Sequence, residues 1–168
     1  VIGAGIIGMT VVKWARFFGA EHVAISDLDS ERLVRAGEIG ATLTINAGES
    51  PDAVQAFRDS TGAEPDVVVE CVGRPMLQQL VDTAPYGAHI VSVGAAMEPD
   101  SIAPWTAAEK KIRLTFSFGY ATEDFQFIIR LLGSGRMDTD KLITQSITLD
   151  EVPQTFAGLM KPNSHCKI

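Results

Sequence analysis

Three glycines near the start of the chain, Gly3, Gly5 and Gly8, form the pattern GxGxxG between a short apolar stretch and a predicted helix. In a strand–turn–helix unit this spacing is typical of a site for the pyrophosphate of a dinucleotide. The first glycine permits a tight turn, the second lets the backbone approach the phosphates, and the third lets the helix pack against the strand. The helix, with Ile6 and Ile7 in its first turn, would direct unpaired N–H groups and its positive dipole end at the anion.

Short β-rich apolar runs alternate with segments of helical period along the whole chain, which predicts an α/β fold with a parallel sheet. Residues 66–72 lack polar alternation, as expected of a strand covered by helices on both faces. The simplest topology is a Rossmann, doubly wound sheet of order 3-2-1-4-5-6 in three αβα layers. Strands are predicted at 1–2, 23–27, 42–46, 66–72, 89–93 and 112–118, with a short one at 142–147. Helices are predicted at 6–18, 29–40 with Asp29 as cap, 52–60 (exposed), 76–84, 124–132 and 152–160, and a loop at 95–104.

Asp27 ends the predicted second strand, about 20 residues after the glycines, where an acid can accept hydrogen bonds from the adenosine ribose. A carboxylate at this position would repel a 2′-phosphate, so NAD is favoured over NADP. Arg32, in the following helix, is able in principle to meet a 2′-phosphate, but beside Asp27 it is interpreted as a ribose contact or a solvated residue. The alternative for Asp27 is a purely structural role at the start of a turn.

The rest of a ligand bound to such a sheet would lie beyond the carboxyl ends of the central strands. Two short segments come directly after the predicted fourth and fifth strands: Cys71, Val72, Gly73 and Arg74, and then Val93, Gly94 and Ala95. Each contains a glycine where the backbone turns sharply or approaches a ligand. The alternative, strand-ending turns with a buried thiol at Cys71, applies to any one of these residues more readily than to all of them.

Length and charge limit the class of protein. A chain of 168 residues suffices for one ordinary core, so a single domain over 1–168 is expected. The net charge of −7 and the pI of about 4.9 argue against nucleic acid or an anionic membrane as partner, because both require clustered Lys and Arg. Cys71 and Cys166 suggest neither a disulfide framework nor a metal site, so a cytoplasmic location is expected. The isolated His22, His89 and His165 are interpreted as neither catalytic nor metal-binding.

The chain resembles the cofactor-binding domain of the medium-chain dehydrogenase/reductase family, the zinc-type alcohol, sorbitol and threonine dehydrogenases. The resemblance is carried by VIGAGIIG, ISDLDSERL, DVVVECVGRP, YGAHIVSVGA and KKIRLTFSFGY, in that order. It implies part of an NAD-dependent enzyme that transfers hydride between nicotinamide and an alcohol or polyol. The catalytic zinc and its ligands would belong to an absent N-terminal catalytic domain, so the chain alone is expected to bind NAD(H) without turnover. Zinc-free quinone and enoyl reductases share this cofactor domain, so zinc use by the whole enzyme stays open.

The same resemblance implies a role for each site residue. The adenosine half would be held by Asp27 and Arg32 at the ribose and by Leu28 and Arg74 at the adenine. The nicotinamide end would be lined by Ile7, Val72, Val93 and Ala95, with the backbone of Gly94 and Phe118 near the carboxamide. Lys167 or His165 would reach the pyrophosphate from the segment 161–168, where the chain returns to the catalytic domain.

Two further expectations concern partners. Members of the family tend to form homo-oligomers by pairing their sixth strands, here 113–116 with the loop 97–105 above it; the alternative is an edge strand shielded by Lys110, Lys111 and Arg113. The main alternative function is a nucleotide-sensing regulatory module of a cation channel or transporter, which also has GxGxxG followed by an acid. The long segment 110–168 favours the dehydrogenase over this module. A methyltransferase is disfavoured because its glycine loop does not need Gly8 and its sheet usually ends in an antiparallel hairpin.

Overall fold

Five short parallel strands alternate with helices in the structure, a computed structural model that describes residues 1–161 and 163–168. The strands are β1 (Ala24–Asp27), β2 (Leu43–Asn46), β3 (Val67–Glu70), β4 (His89–Ser92) and β5 (Arg113–Phe116). The α-helices are α1 (Ile6–Phe17), α2 (Ser30–Glu38), α3 (Ala53–Thr61), α4 (Leu77–Thr83), α5 (Pro104–Glu109), α6 (Thr122–Gly133) and α7 (Val152–Gly158). Short 3₁₀ turns lie at Asp140–Leu142 and Leu149–Glu151. Within the described ranges, no helix is long and apolar enough to cross a membrane.

The strands form two parallel ladders that meet at Ile2. One ladder pairs β1 with β2, and the other has the order β3-β4-β5. Ile2 makes parallel bridges to Ser26 of β1 and to Glu70 of β3, so it lies between the two ladders. The predicted α/β class with parallel strands is therefore confirmed, with each strand shorter than its predicted range.

Aspartate caps fix the starts of two helices. Asp29 Oδ1 accepts the backbone N–H groups of Glu31 and Arg32 at 2.9 and 3.1 Å, as predicted for α2. Asp52 does the same at the start of α3, where two backbone N–H groups donate to its Oδ1 at 3.0 Å. Such caps satisfy N–H groups that have no partner inside the helix, so they set the helix boundaries.

The core consists of two apolar clusters, one associated with each ladder. The first joins α1, β1 and α2, and the second joins α3, α4, β3 and β4. Members of the first include Met9, Val12, Val23, Ile25, Ala36, Ile39 and Leu142. Members of the second include Val54, Val68, Leu80, Val81, Ala84, Ala88 and Ile90. Burial of these apolar side chains is the main favourable term in folding. It also fixes the carboxyl ends of the strands, which border the crevice where the sheet topology predicts a ligand.

One prediction about the later part of the chain is wrong, and one helix was not predicted. Among the described residues, 142–147 forms no strand: Leu142 ends the 3₁₀ turn Asp140–Leu142 and packs into the first core cluster, and a single β-bridge follows, from Ile143 to Lys167. The loop predicted at 95–104 is confirmed over 95–103, and it is followed by the helix α5, which the sequence analysis did not include. Pro104 occupies one of the first two positions of that helix, where its missing N–H costs nothing.

Two predictions about burial also need correction. In the sequence, Phe18 falls near one face of the predicted helix 6–18 together with Met9, Val12 and Ala15. It is nevertheless 77 % exposed, because it lies just past the last turn of α1 and stacks on Trp14 at 5.6 Å between ring centroids. The helix predicted at 52–60 is not wholly exposed, since Val54 and Phe57 of α3 are buried. Both corrections follow from contacts between elements, which the local pattern does not contain.

Lys110, the residue that follows α5, caps the C-terminal end of α4. Its ammonium group donates to the carbonyl oxygens of Val81 and Ala84, each at 3.1 Å, and to that of Asp82. These are the last carbonyls of the helix, which have no partner within it and carry its negative dipole end. We expect Lys110→Met to lower the free energy of unfolding by about 1–2 kcal/mol in urea titrations.

The matched control is Lys141→Met. Lys141 forms an ion pair with Glu38 at 3.3 Å, and both side chains are about half exposed. Surface pairs of this kind contribute about 0–1 kcal/mol, so the control is expected to unfold close to wild type. Equal losses in both variants would contradict the capping role of Lys110.

Candidate functional site

The glycine turn is held between the two ladders by backbone hydrogen bonds. Ile2 donates its N–H to the carbonyl of Val69, and Gly3 donates to that of Ser26, both at 2.8 Å. Gly3 has a φ of +94°, in the left-handed region that glycine adopts readily. A Cβ atom on Gly8 would lie 1.8 Å from the carbonyl oxygen of Gly3. Gly8 therefore has the packing role predicted from the sequence.

Gly5 stands in open space at the N-cap of α1. Among the described residues, no atom lies within 4 Å of the position that its Cβ would take. The helix start has no side-chain cap and no acidic residue in its first turn. The first N–H groups of a helix lack intrahelical partners and favour an anion, so this end of α1 is a cradle suited to a phosphate.

The start of α4 contrasts with that of α1, because a carboxylate already occupies it. Asp100 Oδ2 accepts the N–H groups of Met76 and Leu77 at 2.8 and 2.9 Å. Hydrogen bonds from the backbone, that of Leu77 first, hold the pKa of Asp100 below its usual value. Of these two helix starts, only that of α1 is left open to a ligand anion.

Asp27 connects the end of β1 to the glycine turn. Its Oδ2 accepts the N–H of Ala4 at 2.7 Å, and its Oδ1 accepts that of Asp29 at 2.9 Å. The contact with Ala4 was not foreseen from the sequence. A carboxylate offers about four acceptor positions, so Asp27 can accept further hydrogen bonds from a ligand while it orients the turn.

Arg32 lies over Asp27 and is held by the end of the chain. Its Nη1 is 4.0 Å from Asp27 Oδ2, and its Nη2 donates to the carbonyl oxygen of Asn163 at 2.6 Å. Arg35, one helical turn further along α2, donates to the carbonyl oxygen of Ser164 at 2.8 Å. Two arginines thus fasten the returning segment to α2. Pro162, within the segment predicted to return to a catalytic domain, lies outside the described residues.

A cavity of about 500 Å³ opens beside Asp27 between the carboxyl ends of β1 and β3. This is the place that the sheet topology predicts for a ligand. The cavity gathers most of the residues assigned to the adenosine half, together with neighbours from α3 and α4. Its lining includes Gly3, Asp27, Leu28, Arg32, Pro51, Val72, Arg74 and Gln79.

The segments after β3 and β4 approach each other through two glycines. Gly73 has a φ of +75°, and a Cβ on it would lie 2.9 Å from the backbone N of Ala95. A Cβ on Gly94 would lie 2.2 Å from the backbone N of Gly73. The structure therefore brings together the two segments that the sequence singled out separately, and both glycines are needed for the close approach.

Glu70 is the site residue that the sequence reasoning missed. It is 2 % exposed at the carboxyl end of β3. Its Oε1 accepts the N–H groups of Val72 and Gly73 at 2.5 and 2.7 Å, and its Oε2 accepts the hydroxyl of Ser92 at 3.3 Å. The available signal was a single acid inside an otherwise apolar strand, since a buried carboxylate is rare unless it has partners.

Cys71 follows Glu70 and is partly buried. Burial raises the pKa of the Cys71 thiol to about 11, and the neighbouring Glu70 carboxylate acts in the same direction. The thiol therefore stays protonated at neutral pH, which makes it a poor nucleophile. Cys71 contributes shape to the turn rather than chemistry.

Several residues assigned to the nicotinamide end are exposed. Ile7 is 48 % exposed and Phe118 is fully exposed. The pairing of β5 with β4 continues to Ser117, whose N–H donates to the carbonyl oxygen of Ser92 at 2.9 Å. Phe118 is the next residue, so it lies near the carboxyl end of β4. Both apolar side chains are thus open to solvent in the structure.

The three histidines lie apart from the crevice or at its periphery. His89 contacts Thr115 Oγ1 at 2.8 Å, His22 lies 3.9 Å from Glu21, and His165 contacts Thr144 at 3.4 Å. In the described part of the chain, no group of three or more His, Cys, Asp or Glu residues is placed to hold a metal ion.

Comparison with known proteins gives a consistent result. Residues 7–134 match the model of a family described as zinc-binding dehydrogenase. Mouse sorbitol dehydrogenase is 30% identical over 167 residues, which covers 96% of this chain and 46% of that protein. The (R,R)-butanediol dehydrogenase of Bacillus subtilis is 29% identical and is covered to 49% of its length. The chain thus spans about half the length of these relatives.

Solved structures match over almost the whole chain. An alcohol dehydrogenase from Escherichia coli CFT073 in complex with NADH superposes with a TM-score of 0.84 at 26% identity, covering 99% of this chain and 49% of that one. A zinc-binding dehydrogenase from Sinorhizobium meliloti 1021 bound to NADP also has a TM-score of 0.84, at 28% identity, with the same coverage. The fold is thus one that other proteins use with either dinucleotide.

Proposed function

The chain belongs to the zinc-binding dehydrogenase family, as the resemblance in its sequence indicated, and on that premise we propose that residues 1–168 form the NAD(H)-binding domain of an oxidoreductase acting on an alcohol or polyol. The observation that carries this proposal is the open cradle at Gly5 directly beside the Asp27 carboxylate. Mouse sorbitol dehydrogenase and Bacillus subtilis butanediol dehydrogenase support the substrate class. In this proposal a catalytic domain elsewhere in the protein supplies the substrate pocket and any zinc.

Each part of the crevice has a task in binding. The N–H groups at the start of α1 bind the pyrophosphate, and Asp27 accepts a hydrogen bond from the adenosine ribose. The cavity beside Leu28 and Arg74 takes the adenine. The loops after β3 and β4 orient the nicotinamide ring, which when bound supplies the carbon that gains or loses hydride. The exposed apolar Ile7 and Phe118 exclude water from that end.

Cofactor choice is proposed to favour NAD over NADP. A 2′-phosphate on the adenosine ribose would approach the Asp27 carboxylate, and two negative charges in contact repel. Arg32 lines the cavity, but its Nη2 already donates to the carbonyl oxygen of Asn163 and its Nη1 lies 4.0 Å from Asp27 Oδ2. It is therefore poorly placed to neutralise an added phosphate.

Titration of the chain with NADH and, separately, NADPH tests the proposed function. We expect NADH to bind at least about tenfold more tightly, which corresponds to about 1.4 kcal/mol. Asp27→Asn is expected to reduce this preference, because it removes the charge but keeps an oxygen for the N–H of Ala4. Asp59→Asn, at an exposed position on α3, is the matched control and is expected to keep the wild-type preference.

A different outcome would redirect the assignment. If neither dinucleotide binds while another nucleotide does, the regulatory module of a channel or transporter becomes the better hypothesis. If NADPH binds as tightly as NADH, the oxidoreductase stands and the role of Asp27 in cofactor choice does not.

The proposal extends to the sheet and the domain. With residues 1–2 counted as the first strand, the order is proposed to be 3-2-1-4-5-6 within one domain. The bridges of Ile2 to both ladders support this order.

Pairing of two β5 strands is proposed as the route to a homo-oligomer. Phe116 of this strand is 68 % exposed. Of the charged residues that would shield the edge, Lys110 is bound to the end of α4 and Lys111 lies over the ring of Tyr86 at 5.3 Å. The shield is thus weaker than the sequence suggested.

A cytoplasmic location is also proposed, and the two cysteines, both free in the structure, agree with it.

A further inference from the structure

Glu70 connects the two loops at the nicotinamide half of the crevice through its side chain. Val72 and Gly73, in the turn after β3, both donate to Oε1, while Ser92, the last residue of β4, donates to Oε2. One carboxylate therefore fixes a tight turn on its own strand and the end of the neighbouring strand. A buried carboxylate with three donors is a costly feature that an apolar residue could replace if only packing mattered.

The main chain at Glu70 adds to the same connection. Its carbonyl oxygen accepts the N–H groups of Val93 and Gly94 at 2.8 and 3.0 Å. Gly94 is thereby drawn against Gly73, so closely that a Cβ on Gly94 would also lie 2.8 Å from Glu70 Oε1. Both the side chain and the main chain of Glu70 thus connect the two loops.

We propose that Glu70 is a positioning residue, whose carboxylate sets the spacing of the two loops that receive the nicotinamide half of the cofactor. The inference rests on the proposed function, because it assigns a half of the dinucleotide to these loops. In the described part of the chain, Glu70 makes no side-chain hydrogen bond to the α1 cradle or to Asp27, which serve the adenosine and pyrophosphate. The turn that it fixes does carry Val72 and Arg74 to the adenosine cavity. Loss of the carboxylate should therefore weaken recognition of the nicotinamide much more than that of ADP-ribose.

Calorimetric titration of the whole chain with NADH and with ADP-ribose tests this expectation. ADP-ribose lacks the nicotinamide ring, so the ratio of the two affinities reports the contribution of the nicotinamide. In Glu70→Met, which keeps the volume but removes the acceptors, we expect NADH affinity to fall about tenfold and ADP-ribose affinity to stay within about twofold. Glu70→Gln should restore NADH binding, because the amide oxygen can accept both N–H groups and the amide nitrogen can donate to Ser92. Glu38→Met, on the surface of α2, is the control and should change neither affinity.

A second variant covers the case in which Glu70→Met does not fold. Ser92→Ala removes only the contact to Oε2 and leaves the carboxylate buried with its two amides. It is expected to lower NADH affinity selectively, by a smaller factor. An unchanged ratio of NADH to ADP-ribose affinity in every folded variant would overturn the role of Glu70, as would an equal fall for both ligands or a failure of glutamine to restore binding.

Failure of the inference is distinguishable from failure of the proposed function. If the wild-type chain binds neither NADH nor ADP-ribose, the proposed function fails and the role of Glu70 fails with it. If the wild-type chain binds both, and the variants change them equally or not at all, only the role of Glu70 is lost.

Discussion

Replacement of Gly5 by valine is expected to weaken NADH binding by about 100-fold or more, equivalent to about 2.8 kcal/mol, without unfolding the chain. The position of its Cβ is free of described neighbours, and its φ of −73° is accessible to any residue. The fold therefore has no need of a glycine there. A ligand phosphate does need one, because a side chain would stand between the phosphate and the N–H groups at the start of α1.

The two readouts are NADH titration and the free energy of unfolding in urea. The latter should fall by no more than about 1 kcal/mol, the typical cost of an unfavourable residue at an N-cap. Gly37→Ala is the matched control. It is another glycine with open space at its Cβ, inside α2, where alanine should stabilise the helix by about 0.5–1 kcal/mol and leave NADH binding unchanged. Wild-type NADH binding by Gly5→Val would remove the pyrophosphate from this turn.

Gly8→Ala, unlike Gly5→Val, is expected to lower the stability of the fold, by about 3 kcal/mol. This value lies near the upper end of the range for overpacking a core. The added methyl group would lie 1.8 Å from the carbonyl oxygen of Gly3. That carbonyl belongs to a turn fixed by hydrogen bonds to both ladders, so α1 would have to move away from the sheet. Urea unfolding measures the loss, and NADH affinity should fall with it because the cradle moves.

Gly133→Ala serves as the control for this substitution. Gly133 ends α6 and has no described atom within 4 Å of its Cβ position, so alanine should be neutral or stabilising. Stability of Gly8→Ala equal to that of the control would mean that the helix is not packed as closely on the turn as the structure shows.

Features of the fold that depend on residues close together in the chain could be predicted from the sequence. The β-branched run of β3, the cap at Asp29 and the glycine turn each depend on residues within one element and its neighbours, so their positions could be inferred from the sequence. The position of Asp27 beside the turn followed from the topology of parallel sheets. Its bond to Ala4, by contrast, depends on the exact rotamer and was not predictable.

Features that depend on distant contacts were missed. Arg32 meets Asn163 across 131 positions of the chain, and no spacing rule indicates such a pair. Glu70 lay inside the predicted strand 66–72, and its role depends on three donors from the turn after β3 and the end of β4. Leu142, the first residue of the strand predicted at 142–147, instead ends the 3₁₀ turn Asp140–Leu142 and packs into the core cluster of α1, β1 and α2. In each case tertiary packing overrode a local pattern.

The two apolar clusters have a consequence for how the domain holds together. Each cluster is associated with one ladder, so each ladder resembles a separate cooperative unit of the kind that opens locally in native proteins. A dinucleotide lying across the crevice would touch both units at once and act as a crosslink between them. Its binding free energy would then add to the cohesion of the two units, and the cofactor would serve as a structural member as well as a reactant.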